Sequence, residues 1–234
     1  MKKGDYKSIA QAKKYHQRRF KNGLEIVNLD EMRILNSWLA KIPIKNKVIL
    51  DIGTGTGRVV NSLLNYNVKK IYALDKSQAM LELLSKIYNE EIKKGRVESI
   101  NASSRRIPLN TNSVDIITSF HLFKHLPDIK PTLKEINKVL KPGGYFIFDI
   151  LNINSLIKFN LSTCYATDEA QIKHTLTQCG FSVKTVVYMH PLGETVYGIF
   201  GKIFGIVPRS FDKVINILGL KLGTKIFILA QKNG

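Results

Sequence analysis

Residues 48–60, reading VILDIGTGTGRVV, constrain the fold more than any other part of this 234-residue chain. A short apolar run of β type ends on Asp51 and passes at once into Gly53, Gly55 and Gly57. Glycine alone adopts left-handed backbone repeatedly without strain, and a turn this bare lets a ligand lie against backbone N–H groups at a helix N-terminus. The register excludes the dinucleotide fingerprint G-x-G-x-x-G, whose third glycine would fall on Arg58.

Around this turn the pattern alternates between helix and strand. Residues 29–41 carry Met32, Leu35, Trp38 and Leu39 at helical spacing and predict a lead-in helix. The first strand follows over 47–51, then a helix over 57–66 whose N-terminus faces the turn. A second strand over 69–75 (KKIYALD) ends on Asp75, 24 residues after Asp51, where a strand-helix-strand unit presents a carboxylate to a ribose. The spacing predicts one helix over 78–94, with Ser77 as N-cap and Gly95 as C-cap. Strands are expected over 96–102, from Asp115 to Ser119 and Phe120, and through 150 after a Lys-Pro-Gly-Gly turn, with a helix over 131–140. A helix capped by Thr167 and closed by Gly180, a strand over 181–189 and a last antiparallel strand over 224–231 complete the pattern.

The turn D-x-G-x-G-x-G, Asp75, the segment SSRRIPL, the segment NSVDIITSFHLFKHLPD at 112–128 and LKPGGYFIFDI at 140–150 occur in the order of the motifs of one family. The chain resembles class I S-adenosylmethionine (SAM)-dependent methyltransferases of the ubiquinone and menaquinone biosynthesis type (methyltransferase type 11). The resemblance implies an α/β fold: a Rossmann-like, seven-stranded, mostly parallel sheet with its last strand antiparallel and helices on both faces. It implies SAM as cofactor, S-adenosylhomocysteine as product, and no metal.

It also implies roles. Asp51 would hold the cofactor's amino group, while Gly53, Thr54, Gly55, Thr56 and Gly57 pass under its amino acid part. Asp75 would accept both ribose hydroxyls, with Lys76 beside it and Met80 against the adenine. Ser103 stands where relatives carry the acid that accepts the adenine amine, and Ser104 stands on the neighbouring alanine position; a serine oxygen makes that contact more weakly. Ser119 and Phe120 fall at the carboxyl end of the fourth strand, the edge at which open parallel sheets bind ligands. His125 matches the family's histidine and is the candidate catalytic base near neutral pH. Tyr15 and Arg19, four residues apart on one helical face, would fold over the cofactor's carboxylate end.

The expected division is a helical lead-in or lid over 1–46 and a methyltransferase domain over 47–234, with an apolar insertion at about 189–223. That insertion would roof a pocket for an apolar small-molecule acceptor or rest peripherally on a membrane surface. The net charge of +18 and pI near 9.8 favour polyanions, and eight basic residues stand against Asp5 alone in the first 21. A lysine-rich composition produces the same surplus. An RNA methyltransferase would show a continuous basic groove, but the chain lacks the N/D-P-P-[YF] motif of many base-amine methyltransferases. A SAM-binding protein without transfer activity is the third class. The start MKKGDYKS has no apolar core for a signal peptide, and the longest apolar run, 195–208, is broken by Lys202, so a cytoplasmic protein is expected. Cys164 and Cys179 have no partners at metal-ligand spacing.

Overall fold

A computed structural model describes residues 6–20, 24–157, 164–191, 193, 196 and 219–234. Two helices come first, α1 (Ile9–Phe20) and α2 (Leu24–Leu39). The alternating core follows: β1 (Val48–Ile52), α3 (Arg58–Leu63), β2 (Lys70–Asp75), α4 (Gln78–Ile87), α5 (Asn89–Lys93), β3 (Val97–Asn101) and β4 (Val114–Ser119). A single 3-10 turn, Phe123–His125, leads through α6 (Lys130–Val139) to β5 (Leu140–Asn152). The chain closes with β6 (Ala166–Thr167), α7 (Glu169–Gln178), β7 (Phe181–Met189) and β8 (Lys225–Lys232).

The strands form one sheet in the order β3-β2-β1-β4-β5-β8-β7. β1 to β5 run parallel, and β8 lies antiparallel between β5 and β7. The short β6 pairs with the end of β5, so the sheet has eight strands rather than the expected seven. The order reverses between β1 and β4, which opens a crevice above the carboxyl ends of these strands.

Both faces of the sheet are covered, as continuous apolar strands require. On one side Leu35, Trp38 and Leu39 of α2, Val59, Val60 and Leu63 of α3, and Leu84 of α4 pack on Ile49, Ile71 and Ile116. On the other, Leu133, Ile136 and Val139 of α6 and Ile172 and Leu176 of α7 pack on Leu50, Ile117 and Phe148. Phe146 and Phe148 stack there at 4.4 Å with their planes 6° apart.

Three expectations need correction. The helix expected over 78–94 is two helices, because Tyr88 leaves helical geometry (φ −109°, ψ 27°) and turns its hydroxyl to donate to the Gly57 carbonyl at 2.7 Å. Ser77 does cap it, accepting from the Met80 N–H, and Gly95 ends α5 at φ +72°. The cap of α7 is Asp168, which accepts from the Gln171 N–H at 2.8 Å, while Thr167 is held in β6. The lead-in helix starts at Leu24, five residues earlier than its apolar stripe suggests. The apolar insertion expected at 189–223 lies largely outside the described residues. No helix among the described residues is long and apolar enough to cross a membrane.

Candidate cofactor site

The site is built on the junction of β1 and α3. Gly53, Gly55 and Gly57 all stand at positive φ (+71°, +55° and +86°), so the sequence needs glycine at each. The Gly53 and Thr54 N–H groups donate to the Leu74 carbonyl at 2.8 and 3.0 Å, which pins the turn to β2. At Gly57 a β-carbon would also run into the ring of Tyr88. Gly57→Ala is therefore expected to cost about 3 kcal/mol, from left-handed strain together with displacement of the tyrosine. Urea denaturation checks this, and a loss under about 1 kcal/mol would mean that the ring yields freely.

Asp51 lies under the turn, 1% exposed. Its Oδ1 accepts from the Thr118 hydroxyl at 2.7 Å, but its Oδ2 has no hydrogen-bond partner among the described residues, and neither has the neighbouring Thr54 Oγ1. Burial lifts the Asp51 carboxyl to about 6, partly offset by the nearby Thr54 and Thr118 hydroxyls and the charge of Arg58. Asp75 closes the other end of the turn, with Oδ2 accepting from Gly55 N–H and Oδ1 from Ser77 N–H, both at 2.9 Å. Its pKa is raised by burial, with those backbone bonds pulling the other way.

The structure brings Tyr15, Arg19, Asp51, Gly53, Thr54, Thr56 and Phe120 to one small cavity of about 20 Å³, together with Arg58 and Val59. α1 lies across its outer side. Tyr6 and Tyr15 meet at 5.1 Å and pack with Ala12 on Met80, His16 Nδ1 bonds Thr56 Oγ1 at 2.8 Å, and Ser77 Oγ donates to the Tyr6 carbonyl. Met80 is buried core under the two tyrosines and does not line the cavity. Ser119 is buried and spends its hydroxyl on the Ile52 carbonyl at 3.0 Å. The Phe120 ring lies 5.8 Å under the Arg58 guanidinium.

Other expected residues stand apart from this cavity. Ser104 turns inward to the Thr132 hydroxyl at 3.1 Å, Ser103 is exposed and accepts from Arg105 N–H, and Lys76 is exposed. His125 sits on the 3-10 turn and does not line the cavity.

An imidazole bonded to the cavity residue Arg19 is that of His121, immediately after Phe120 and at φ +63°. Its N–H donates to Asp149 Oδ1 of β5 at 2.5 Å. Its Nε2 lies 2.9 and 3.0 Å from the two oxygens of Glu31 on α2, and Arg19 Nη2 reaches its Nδ1 at 2.6 Å. Glu31 is fully buried and also bonds Arg58 and Lys225. Lys225 is 1% exposed, 3.2 Å from His121 Nε2 and 3.9 Å from Asp149. Burial and the Arg19 charge hold the His121 pKa well below its usual value, so the ring is neutral. For Glu31, burial alone would raise the pKa, but His121, Lys225 and Arg58 together hold it well below the carboxylate range. Two signals in the sequence point to this cluster: a glutamate on the buried stripe Val27-Glu31-Leu35 of α2, and a lysine opening the apolar strand KIFILAQK.

A parallel sheet with a glycine turn at its switch point, and acids ending β1 and β2, defines a nucleotide-cofactor-binding α/β protein. Residues 50–148 match the family model described as a methyltransferase domain. The chain is 32% identical over 125 residues to malonyl-[acyl-carrier protein] O-methyltransferase of Marinomonas sp. (strain MWYL1), covering 53% of this chain and 45% of that one. It is 30% identical over 113 residues to the ubiquinone/menaquinone biosynthesis C-methyltransferase of Bartonella quintana (strain Toulouse), covering 47% and 44%. It spans a little under half the length of these two relatives. Its fold matches a SAM-dependent methyltransferase structure from Aquifex aeolicus with a TM-score of 0.62 at 19% identity, over 97% of this chain and 100% of that one.

Proposed function

We propose that the chain binds SAM across the β1 turn and transfers its methyl group to a small-molecule acceptor. The observation that carries this is the buried Asp51 Oδ2, a carboxylate oxygen without a hydrogen-bond partner among the described residues at the floor of the glycine turn. Such an atom is costly unless a cationic donor meets it, and the cofactor's ammonium group fits that need. Asp75 is oriented for the ribose by two backbone N–H groups that leave further lone pairs on its oxygens. Arg19 lines the cavity and suits the cofactor's carboxylate, with the Tyr15 ring beside it. When bound, SAM supplies an electrophilic methyl on a sulfonium.

The protein's own part is to hold donor and acceptor in line and to keep water out, which needs no dedicated nucleophile. The relatives are named for a carrier-bound malonyl group and for quinone biosynthesis, which favours a small or carrier-bound acceptor over RNA.

Calorimetry with SAM tests the reading directly. The full chain is expected to bind one SAM, and Asp75→Ala to bind it about a hundredfold more weakly, as loss of two charge-assisted bonds implies. No heat with the unaltered chain would overturn the reading. Equal affinity in the variant would move the ribose contact away from Asp75.

A further inference from the structure

The cluster around His121 lies beyond the glycine turn, on the opposite side of β1 from Asp75 and at the carboxyl ends of β4 and β5. Separate elements each send one polar side chain to this point: α1 sends Arg19, α2 Glu31, α3 Arg58, and β8 Lys225. Apolar side chains of similar size would stabilise the same space at least as well, so stability alone does not account for buried ions here. His121 is moreover a non-glycine residue held at positive φ, the kind of backbone strain that concentrates at functional sites. We propose that this cluster receives the methyl acceptor and selects one carrying an anionic oxygen, such as a carboxylate, phenolate or enolate, over an amine. The proposal rests on the methyltransferase reading above.

The selection follows from which groups are engaged. Glu31 is taken up by Arg58, Lys225 and His121, and Asp149 accepts the His121 N–H while facing Lys225. An ammonium entering beside His121 therefore meets the like charges of Lys225 and Lys124, each with its Nζ 3.2 Å from an imidazole nitrogen. In a water-poor site that repulsion is severe, while an oxyanion is attracted by the same two groups and can share their N–H donors.

The chemistry agrees. An acceptor oxygen lone pair forms the new O–C bond as the C–S bond breaks and its pair passes to sulfur. Oxyanion and sulfonium are neutralised together, and no proton has to be removed. A neutral imidazole bonded to cations, as His121 is, suits such a reaction better than one that needs a base.

The test uses the full chain saturated with S-adenosylhomocysteine and a matched pair of probes, benzoate and benzylammonium, followed by the imidazole nitrogen resonances of His121. Benzoate is expected to shift them saturably at a concentration at least about tenfold lower than benzylammonium. Lys124→Met, on a half-buried side chain, and Lys225→Met are each expected to weaken benzoate by about tenfold while leaving S-adenosylhomocysteine affinity unchanged. Should Lys225→Met fail to fold, Lys124→Met decides. Benzylammonium binding as well as benzoate, neither probe binding, or benzoate indifferent to the substitutions would overturn the proposal. Calorimetry on the same samples separates the two readings: no S-adenosylhomocysteine binding defeats the methyltransferase reading, whereas binding without anion preference defeats only this one.

Discussion

Asp51→Asn is expected to make the protein more stable at pH 8 and to abolish most of its affinity for SAM. Burial lifts the carboxyl from 3.8 to about 6, so ionised Asp51 is carried at neutral pH at a cost of roughly 3 kcal/mol. The sign follows from proton binding. The folded protein holds this proton more tightly than the unfolded chain, so stability declines as pH rises between 3.8 and about 6, and the penalty is complete above that window. Asparagine keeps the acceptor for the Thr118 hydroxyl and removes the charge. A gain of about 2 kcal/mol, or roughly 4–8 °C in Tm, is expected at pH 8, shrinking as pH falls below 5. The same change removes the counter-charge for the cofactor's ammonium, and losing one side of a buried charge pair costs at least about 2–3 kcal/mol, near a hundredfold in Kd. Scanning calorimetry at pH 5 and 8 with SAM titration at pH 8 checks both halves. A lower Tm at pH 8, or SAM affinity kept, would show that Asp51 is not an acid held for a ligand.

The second large effect concerns stability alone. Glu31 carries Arg58, Lys225 and His121, and removing its carboxylate leaves the two cations buried without it. Glu31→Ala is expected to cost about 3–5 kcal/mol, lowering Tm by roughly 10 °C. Because the folded pKa of Glu31 is depressed, its contribution is fully present above about pH 4.5 and is lost as pH falls from there through the lower folded pKa. Combining Glu31→Met with Lys225→Met is expected to recover about half of the loss seen in Glu31→Met alone, since a buried pair is replaced more cheaply than it is broken. Denaturant midpoints of the three proteins decide, and additive losses would mean that the pair is not the unit of stability.

Most of the geometry of the glycine turn was legible because it is local. The strand-turn-helix around Gly53 and Asp75 is set by residues close in sequence, and the motif order placed the strands on either side of it. The break at Tyr88 was not legible, since it depends on a carbonyl 31 residues away. Thr167 and Asp168 are both good caps, and only the pairing of Thr167 with Asn152 assigns the role to its neighbour. The cluster around His121 was hardest to see, because Glu31 and Lys225 meet from 194 residues apart. The family's motif falls on His125, four residues along from the buried imidazole of His121.

The position of α1 bears on time rather than on affinity. Pockets for small molecules run to about 300–1,000 Å³, far above the 20 Å³ under Tyr15 and Arg19, so a nucleoside enters or leaves only as α1 lifts from Met80 and Thr56. In a methyltransferase that works as proposed, each cycle would contain two helix departures, one to load and one to discharge, and the time for which Tyr6 and Tyr15 stay seated would bound its pace.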